Sequence, residues 1–93
     1  MKAVDTMSND TLNNKILIGT KIKATRKQKG YTQEQLAAKL QVRGCDITRS
    51  ALAKIEVGQR HLYPDEIFFI KEILNIEYDE IFSMNSSVEN YYK

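Results

Sequence analysis

The segment from Thr32 to Gly58 constrains the fold more than any other part of the chain. Thr32 stands three residues before Gln35, and this capping-box spacing predicts that a helix begins there. Three apolar residues then recur at helical spacing and predict one buried stripe: Leu36, Ala37 and Leu40. The pattern therefore predicts a short amphipathic helix over about residues 33–40.

A second helix pattern follows a polar break at residues 41–46. Thr48 or Asp46 supplies an N-cap, and Gly58 suits the left-handed position just beyond the end of a helix. Three apolar residues point inward between these limits: Ala51, Leu52 and Ile55. The second helix is predicted over about residues 49–57.

Three polar residues of the second helix can point together away from the core: Arg49, Ser50 and Lys54. Arginine and lysine can donate hydrogen bonds to O6 and N7 of guanine, and serine can bond either a base or a phosphate. A short helix with a donor-rich outer face, braced by another helix, suits the major groove of DNA. The two patterns together indicate a helix-turn-helix motif.

The sequences TQEQLAAKL and ITRSALAKIEVGQR resemble the bipartite motif of the lambda/Cro-type (XRE-like) repressors of bacteria and phages. The similarity runs from about Ile16 to Phe82. It implies an all-α, five-helix lambda-repressor-like DNA-binding domain. One departure from the family is plain. Members join the two motif helices by about four residues, and residues 41–46 lengthen that turn here.

The resemblance also implies roles for individual residues. Arg49, Ser50 and Lys54 would read bases, and Gln33 at the start of the helix over residues 33–40 would hold a phosphate oxygen. Arg26 and Glu56 would form an internal ion pair between the helix that precedes the motif and the end of the helix over residues 49–57. Further residues near the helix over residues 49–57 could contact phosphates or simply be solvated: Thr48, Arg43, Gln59, Arg60 and His61.

The remaining chain is divided by composition and periodicity. Residues 1–13 are polar and aperiodic and predict a disordered N-terminal arm, and residues 84–93 predict a polar C-terminal tail. The DNA-binding domain is predicted between them, at residues 14–83. It would include three further helices: from Leu12 or Ile16 to Lys29, from Pro64 to a left-handed cap at Asn75, and from Tyr78 to Phe82.

Charge is distributed unevenly along the chain, although the net charge is only +2. Residues 15–60 hold eleven lysines and arginines against three acidic residues, whereas residues 61–93 hold two lysines against seven acidic residues. A basic half can meet phosphates while an acidic half faces elsewhere. The pattern favours a nucleic-acid partner for the motif half.

Several classes of protein find no support in the sequence. No apolar run approaches the length of a membrane span and no secretory signal is present, so we expect a cytoplasmic protein. The only cysteine, Cys45, lies in a polar loop, where it could sense redox changes, but without a second cysteine to resolve an oxidised thiol we interpret it as an incidental small residue. His61 has no metal-ligand companion. Neither has an orienting third group, so we expect no enzyme activity, no metal and no cofactor.

Apolar residues on the fourth helix exceed what one core stripe needs: Phe68, Phe69 and Ile73. They predict either a subunit interface or a wider core. The sequence therefore predicts a homodimeric repressor that binds a palindromic operator in double-stranded DNA. Two alternatives remain open, an antitoxin or other protein-interaction module that carries a DNA-binding domain, and an activator that touches polymerase through its acidic residues.

Overall fold

The computed structural model describes the backbone of residues 2–81 and the side chains of residues 15–81. The described chain forms five α-helices and no strand, which confirms the predicted all-α, five-helix class. The helices are α1 (Lys2–Gln28), α2 (Gln33–Val42), α3 (Arg49–Glu56), α4 (Pro64–Leu74) and α5 (Tyr78–Ile81). None of these helices is both long and apolar enough to span a bilayer. Phe82 and the predicted tail at residues 84–93 lie outside the described residues.

Helix α1 begins earlier than the sequence predicted. Its backbone is helical from Lys2, where residues 1–13 were predicted to form a disordered arm. No glycine or proline interrupts the sequence before Gly19. Each residue added to an existing helix gains one hydrogen bond, so a polar segment without breakers can continue a helix that apolar periodicity does not reveal.

Threonine N-caps begin the two helices of the motif. Thr32 Oγ1 accepts from the Gln35 backbone N–H at 3.0 Å, and Gln35 Oε1 accepts from the Thr32 N–H at 2.9 Å, which completes the capping box. Thr48 Oγ1 accepts from the Ala51 N–H at 3.1 Å. Each cap satisfies backbone donors that the helix leaves unpaired, and is worth about 1 kcal/mol.

Four helices end at a residue with left-handed backbone: Gly30, Gly44, Gly58 and Asn75. The predicted left-handed caps at Gly58 and Asn75 are thus confirmed. At the end of α2, the Gly44 N–H donates to the Gln41 carbonyl and the Cys45 N–H donates to the Leu40 carbonyl, both at 2.9 Å. This paired arrangement satisfies the last carbonyls and turns the chain sharply. Glycine adopts the required φ of 86° at Gly44 without steric cost.

One hydrophobic core draws on all five helices and on the connections between them. Its buried members are Ile22, Leu36, Leu40, Cys45, Ile47, Leu52, Ile55, Ile70, Leu74, Ile76 and Ile81. Because Leu52 and Ile55 belong to it, one side of α3 is fixed to the rest of the domain.

The turn between α2 and α3, residues 43–48, contributes to this core. Cys45 and Ile47 are buried while Asp46 and Thr48 are exposed, so inward and outward positions alternate. Gln41 Nε2 also donates to the Ile47 carbonyl at 3.3 Å. The placement of Cys45 in a polar, solvated loop is therefore wrong, because its side chain lies in the core. Burial raises the pKa of the Cys45 thiol, which keeps it protonated and unreactive.

Helix α1 lies directly against the C-terminal end of α3 at Gly19. A Cβ atom on this buried residue would collide with the carbonyl oxygen of Ile55 and would lie 2.8 Å from that of Glu56. Both oxygens belong to the helical backbone of α3, so they cannot move aside without disrupting that helix. The absence of a side chain at Gly19 therefore sets the distance between α1 and α3.

Candidate nucleic-acid interface

Helix α3 has one buried side and one exposed side. At 3.6 residues per turn, positions 49, 50, 53 and 54 fall within an arc of about 140°. Arg49, Ser50 and Lys54 are exposed on this arc, and Leu52 and Ile55 are buried opposite it. The structure thus brings the three predicted base-reading residues together on one accessible surface, which we call the α3 face (residues 49, 50, 53 and 54).

Ala53 also belongs to the α3 face, although it is not among the residues predicted to read bases. It is half-buried and lies between the directions of Arg49 and Ser50. A methyl side chain at the centre of the face permits close approach to a groove, and alanine can contact the methyl group of thymine. Its helical angle was the signal that could have found it, because the residue type alone suggests only a helix former.

Two predicted phosphate contacts flank the start of the α3 face. Thr48 is exposed, and because its oxygen accepts the capping hydrogen bond, its hydroxyl proton remains able to donate. Arg43 is exposed on the turn before α3. Both residues can therefore reach a ligand that approaches the N-terminal end of α3.

A buried ion pair lies behind the α3 face, between Arg26 of α1 and Glu56 of α3. Arg26 Nε donates to Glu56 Oε2 at 2.7 Å, and Arg26 Nη2 donates to Glu56 Oε1 at 3.1 Å. The two side chains are only 7% and 1% exposed. Arg26 Nη1 also donates to the Tyr31 carbonyl at 2.7 Å. The pair fixes the last turn of α3 to α1, the role that the resemblance implies for it.

Gln33 connects α2 to the same carboxylate. Its Nε2 donates to Glu56 Oε1 at 3.0 Å, and the side chain is half-buried. One amide N–H is therefore used within the protein, while the second N–H can still meet a phosphate. The carboxylate of Glu56, on α3, thus accepts hydrogen bonds from side chains of α1 and α2, and these bonds join the three helices behind the exposed face.

Arg60 has a partner within the protein, which differs from its predicted role as a phosphate contact. Its Nη1 and Nη2 donate to Glu66 Oε1 and Oε2, both at 3.0 Å, and Nη1 also donates to the His61 carbonyl. These hydrogen bonds from Arg60 hold the pKa of Glu66 below its usual value, against the opposing effect of burial. Arg60 therefore secures the α3–α4 loop, and Gln59 and His61 remain exposed on it.

The three predicted interface residues do not share one environment. Phe69 and Ile73 are half-buried and pack against the core, whereas Phe68 is 45% exposed. The rings of Phe68 and Phe69 meet edge to face, with centroids 5.5 Å apart. Phe69 and Ile73 thus belong in part to a wider core, and Phe68 is the member with the most surface free for a partner.

Exposed charges divide along the described chain as the sequence analysis anticipated. Exposed basic residues are concentrated before α4: Lys23, Lys27, Lys29, Lys39, Arg43, Arg49 and Lys54. Exposed acidic residues are concentrated in α4 and after it: Asp65, Glu72, Glu77, Asp79 and Glu80. The helices that surround the α3 face are therefore the basic part of the domain.

Comparison with known families agrees with this geometry. A family model described as helix-turn-helix matches residues 22–81. No curated protein and no solved structure matches the chain closely enough for comparison. The fold and the α3 face define a helix-turn-helix DNA-binding domain. The chain belongs to the lambda/Cro-type (XRE) helix-turn-helix family, and it is a DNA-binding transcription regulator.

Proposed function

We propose that the protein recognises a specific operator in double-stranded DNA and represses transcription by occupying it. The observation that carries this proposal is the α3 face, where Arg49, Ser50 and Lys54 are all exposed on one arc of a capped helix. Arg49 and Lys54 suit guanine, and Ser50 suits a base or a phosphate. Because the opposite side of α3 belongs to the core, the helix that carries these donors is held in a fixed position, as sequence recognition requires.

We infer that two copies of the chain bind one palindromic operator. A single α3 helix reads only a few base pairs, and paired helices reach half-sites about one helical turn, roughly 34 Å, apart. Phe68 supports an interface at α4, because it is a large apolar side chain exposed beside the half-buried Phe69 and Ile73. A two-fold interface buries the same patch on both chains.

Selection of bound duplexes from a random pool tests operator recognition. We expect an enriched palindrome whose half-sites lie about 10 base pairs apart. The matched variant is Arg49→Ala, which removes an exposed side chain and leaves the core intact. Its selected sequences should lose preference at one position of each half-site. Recovery of no common sequence by the wild-type protein would contradict the proposal.

Sedimentation equilibrium tests the proposed dimer. Phe68→Asp places a charge on an exposed position, so we expect a folded monomer with weak operator binding, because each half-site must then be bound independently. Phe69→Asp and Ile73→Asp should also reduce dimerisation, but both residues pack against the core and these variants will lose stability as well. Val57→Asp, at an apolar residue 53% exposed outside α4, is the matched control and should keep the wild-type mass. A dimeric Phe68→Asp variant would place the interface elsewhere.

The acidic surface supports a second candidate, an antitoxin that pairs with a basic protein. Asp65, Glu72, Glu77 and Asp79 are all exposed and lie after the basic motif half. Such a surface can attract a positively charged partner. Co-expression with the product of the neighbouring reading frame distinguishes the two candidates, because only the antitoxin would be recovered in a stable complex with a second small protein.

A further inference from the structure

A small cavity of about 160 Å³ lies between α1, the end of α3 and the start of α4. Aliphatic side chains form its inner wall: Ile18, Ile55, Leu62 and Ile67. Lys15 and His61 stand at the same site, and both reach the solvent. The cavity therefore combines an apolar interior with cationic or hydrogen-bonding groups at its mouth.

The volume of the cavity suits one six-membered ring. Apolar cavities of about 150 Å³ lined by aliphatic and aromatic side chains bind benzene. Gly19 lines the cavity with backbone atoms alone.

The mouth of the cavity favours an anion. Lys15 and His61 make no hydrogen bond or ion pair through their side chains with any other described residue, although the His61 ring touches Tyr63 edge-on at 4.8 Å. Arg60 also lines the cavity, but its guanidinium is already satisfied by Glu66. The donors free to receive a ligand are therefore those of Lys15 and His61.

We propose that this cavity binds a small monocyclic carboxylic acid, with the ring against Ile18, Leu62 and Ile67 and the carboxylate at Lys15 and His61. A charged group at the mouth of an apolar pocket fixes the orientation of such a ligand. The site lies within the DNA-binding domain itself, so regulation by a small molecule would need no separate effector domain.

Binding at this site would weaken the operator complex, a consequence that rests on the proposed function. The cavity includes Ile55 at the end of α3 and His61 on the α3–α4 loop. In the proposed complex the α3–α4 loop lies near DNA phosphates. A carboxylate bound beside this loop adds negative charge there and would repel the phosphates. Because coupling between two binding sites is reciprocal, operator DNA would weaken ligand binding by the same factor.

Titration of the free protein with benzoate, followed by amide NMR, tests the site without DNA. We expect saturable shifts at Gly19 and Leu62, and binding of the uncharged analogue benzamide that is about ten-fold weaker. Lys15→Met should remove this preference for the charged ligand, and Leu62→Phe should fill the cavity and abolish binding. Lys23→Met, at an exposed lysine on the same helix outside the cavity, is the matched control and should bind as the wild type does.

Operator affinity measured with and without saturating benzoate tests the regulatory consequence. We expect the operator Kd to rise at least about five-fold, the lower end of typical coupling between sites, and Leu62→Phe should be insensitive. Absence of saturable shifts in the free protein overturns the ligand site. Binding of benzoate that leaves the operator Kd unchanged overturns the regulatory role. Failure to bind any operator without benzoate would instead contradict the proposed function, so the two failures are distinguishable.

Discussion

Replacement of Glu56 by alanine should destabilise the protein strongly without removing a base contact. The carboxylate receives hydrogen bonds from Arg26 Nε at 2.7 Å, Arg26 Nη2 at 3.1 Å and Gln33 Nε2 at 3.0 Å. Alanine would leave the guanidinium of Arg26, whose side chain is 7% exposed, with only the Tyr31 carbonyl as a protein partner among the described residues. Removal of one member of a buried pair costs about 3–5 kcal/mol, because the other charge is left uncompensated.

Thermal unfolding followed by circular dichroism measures this effect. In a domain of this size, 1 kcal/mol shifts the midpoint by about 4–8 °C, so Glu56→Ala should lower the midpoint by at least about 12 °C. The matched control is the double variant Arg26→Met/Glu56→Leu, which removes both charges and keeps apolar volume. Replacement of a whole buried pair is often neutral or stabilising, so the double variant should unfold well above the single variant.

Two results would refute this reasoning. A midpoint within about 4 °C of the wild type would mean that the ion pair contributes only about 0–1 kcal/mol to the free energy of unfolding, as exposed pairs do. Water would then reach the pair. A double variant as unstable as Glu56→Ala would show that lost packing, rather than the stranded charge of Arg26, causes the destabilisation.

Four further predictions concern binding, packing and pH. If a dimer neutralises about 6–10 phosphates, operator affinity should fall about 10³–10⁵-fold between 50 and 200 mM salt; a flat response in a fluorescence titration would contradict DNA binding. Arg49→Ala should cost about 1–3 kcal/mol at one base pair of each half-site, whereas Gln33→Ala should weaken all sequences alike, and competition with random DNA separates the two. Gly19→Ala should lower the free energy of unfolding by about 1–3 kcal/mol through overpacking, measured by urea denaturation, and wild-type stability would mean that α1 can move away from α3. Hydrogen bonds from Arg60 lower the folded-state pKa of Glu66. The stability that this ion pair contributes should therefore be present above pH 4.5, the ordinary pKa of the carboxyl group, and should be lost as the pH falls through the lower folded-state pKa. Glu66→Gln should remove that part of the acid dependence of the melting midpoint.

Local chemistry explains why the ends of the motif helices could be predicted from the sequence. A threonine N-cap acts on backbone groups two or three residues away, and a left-handed glycine acts on the preceding turn, so neither depends on the rest of the fold. Thr32, Thr48 and Gly58 therefore occupy their predicted places. Helix α2 ends at Val42 rather than near Leu40, because Gly44 and not the first polar residue terminates it.

Features that depend on tertiary approach could not be predicted in the same way. The partner of Arg60 is six positions away across a loop, and the polar surroundings of that loop suggested solvent or phosphate instead. The close contact at Gly19 could not be predicted, because the need for a glycine there arises from the carbonyl groups of α3 that face it, and their position is known only from the structure. The core position of Ile47 was hidden for a similar reason, since one apolar residue between polar neighbours has no detectable period.

The cavity at the end of α3 was also beyond reach of the sequence analysis. Lys15 and His61 lie far apart in sequence, and only the packing of α1 against the α3–α4 loop places both at one opening. In the sequence, Lys15 is only one of eleven basic residues between positions 15 and 60, and His61 is a candidate phosphate contact or a solvated residue. Sequence spacing cannot show that two such residues line the same cavity when other helices form the wall between them.

The alternation of burial in the turn before α3 makes the length of that turn critical in single-residue steps. Deletion or insertion of one residue would exchange the inward and outward positions, so that Asp46 would be driven toward the core and Ile47 toward water. We therefore expect the exposed side chain at position 46 to tolerate substitution, and a change of one residue in the length of the turn to disrupt the core. By contrast, we expect that operator preference can be changed on the α3 face alone. Exchange of residues 49, 50, 53 and 54 leaves the spacing that positions the helix untouched.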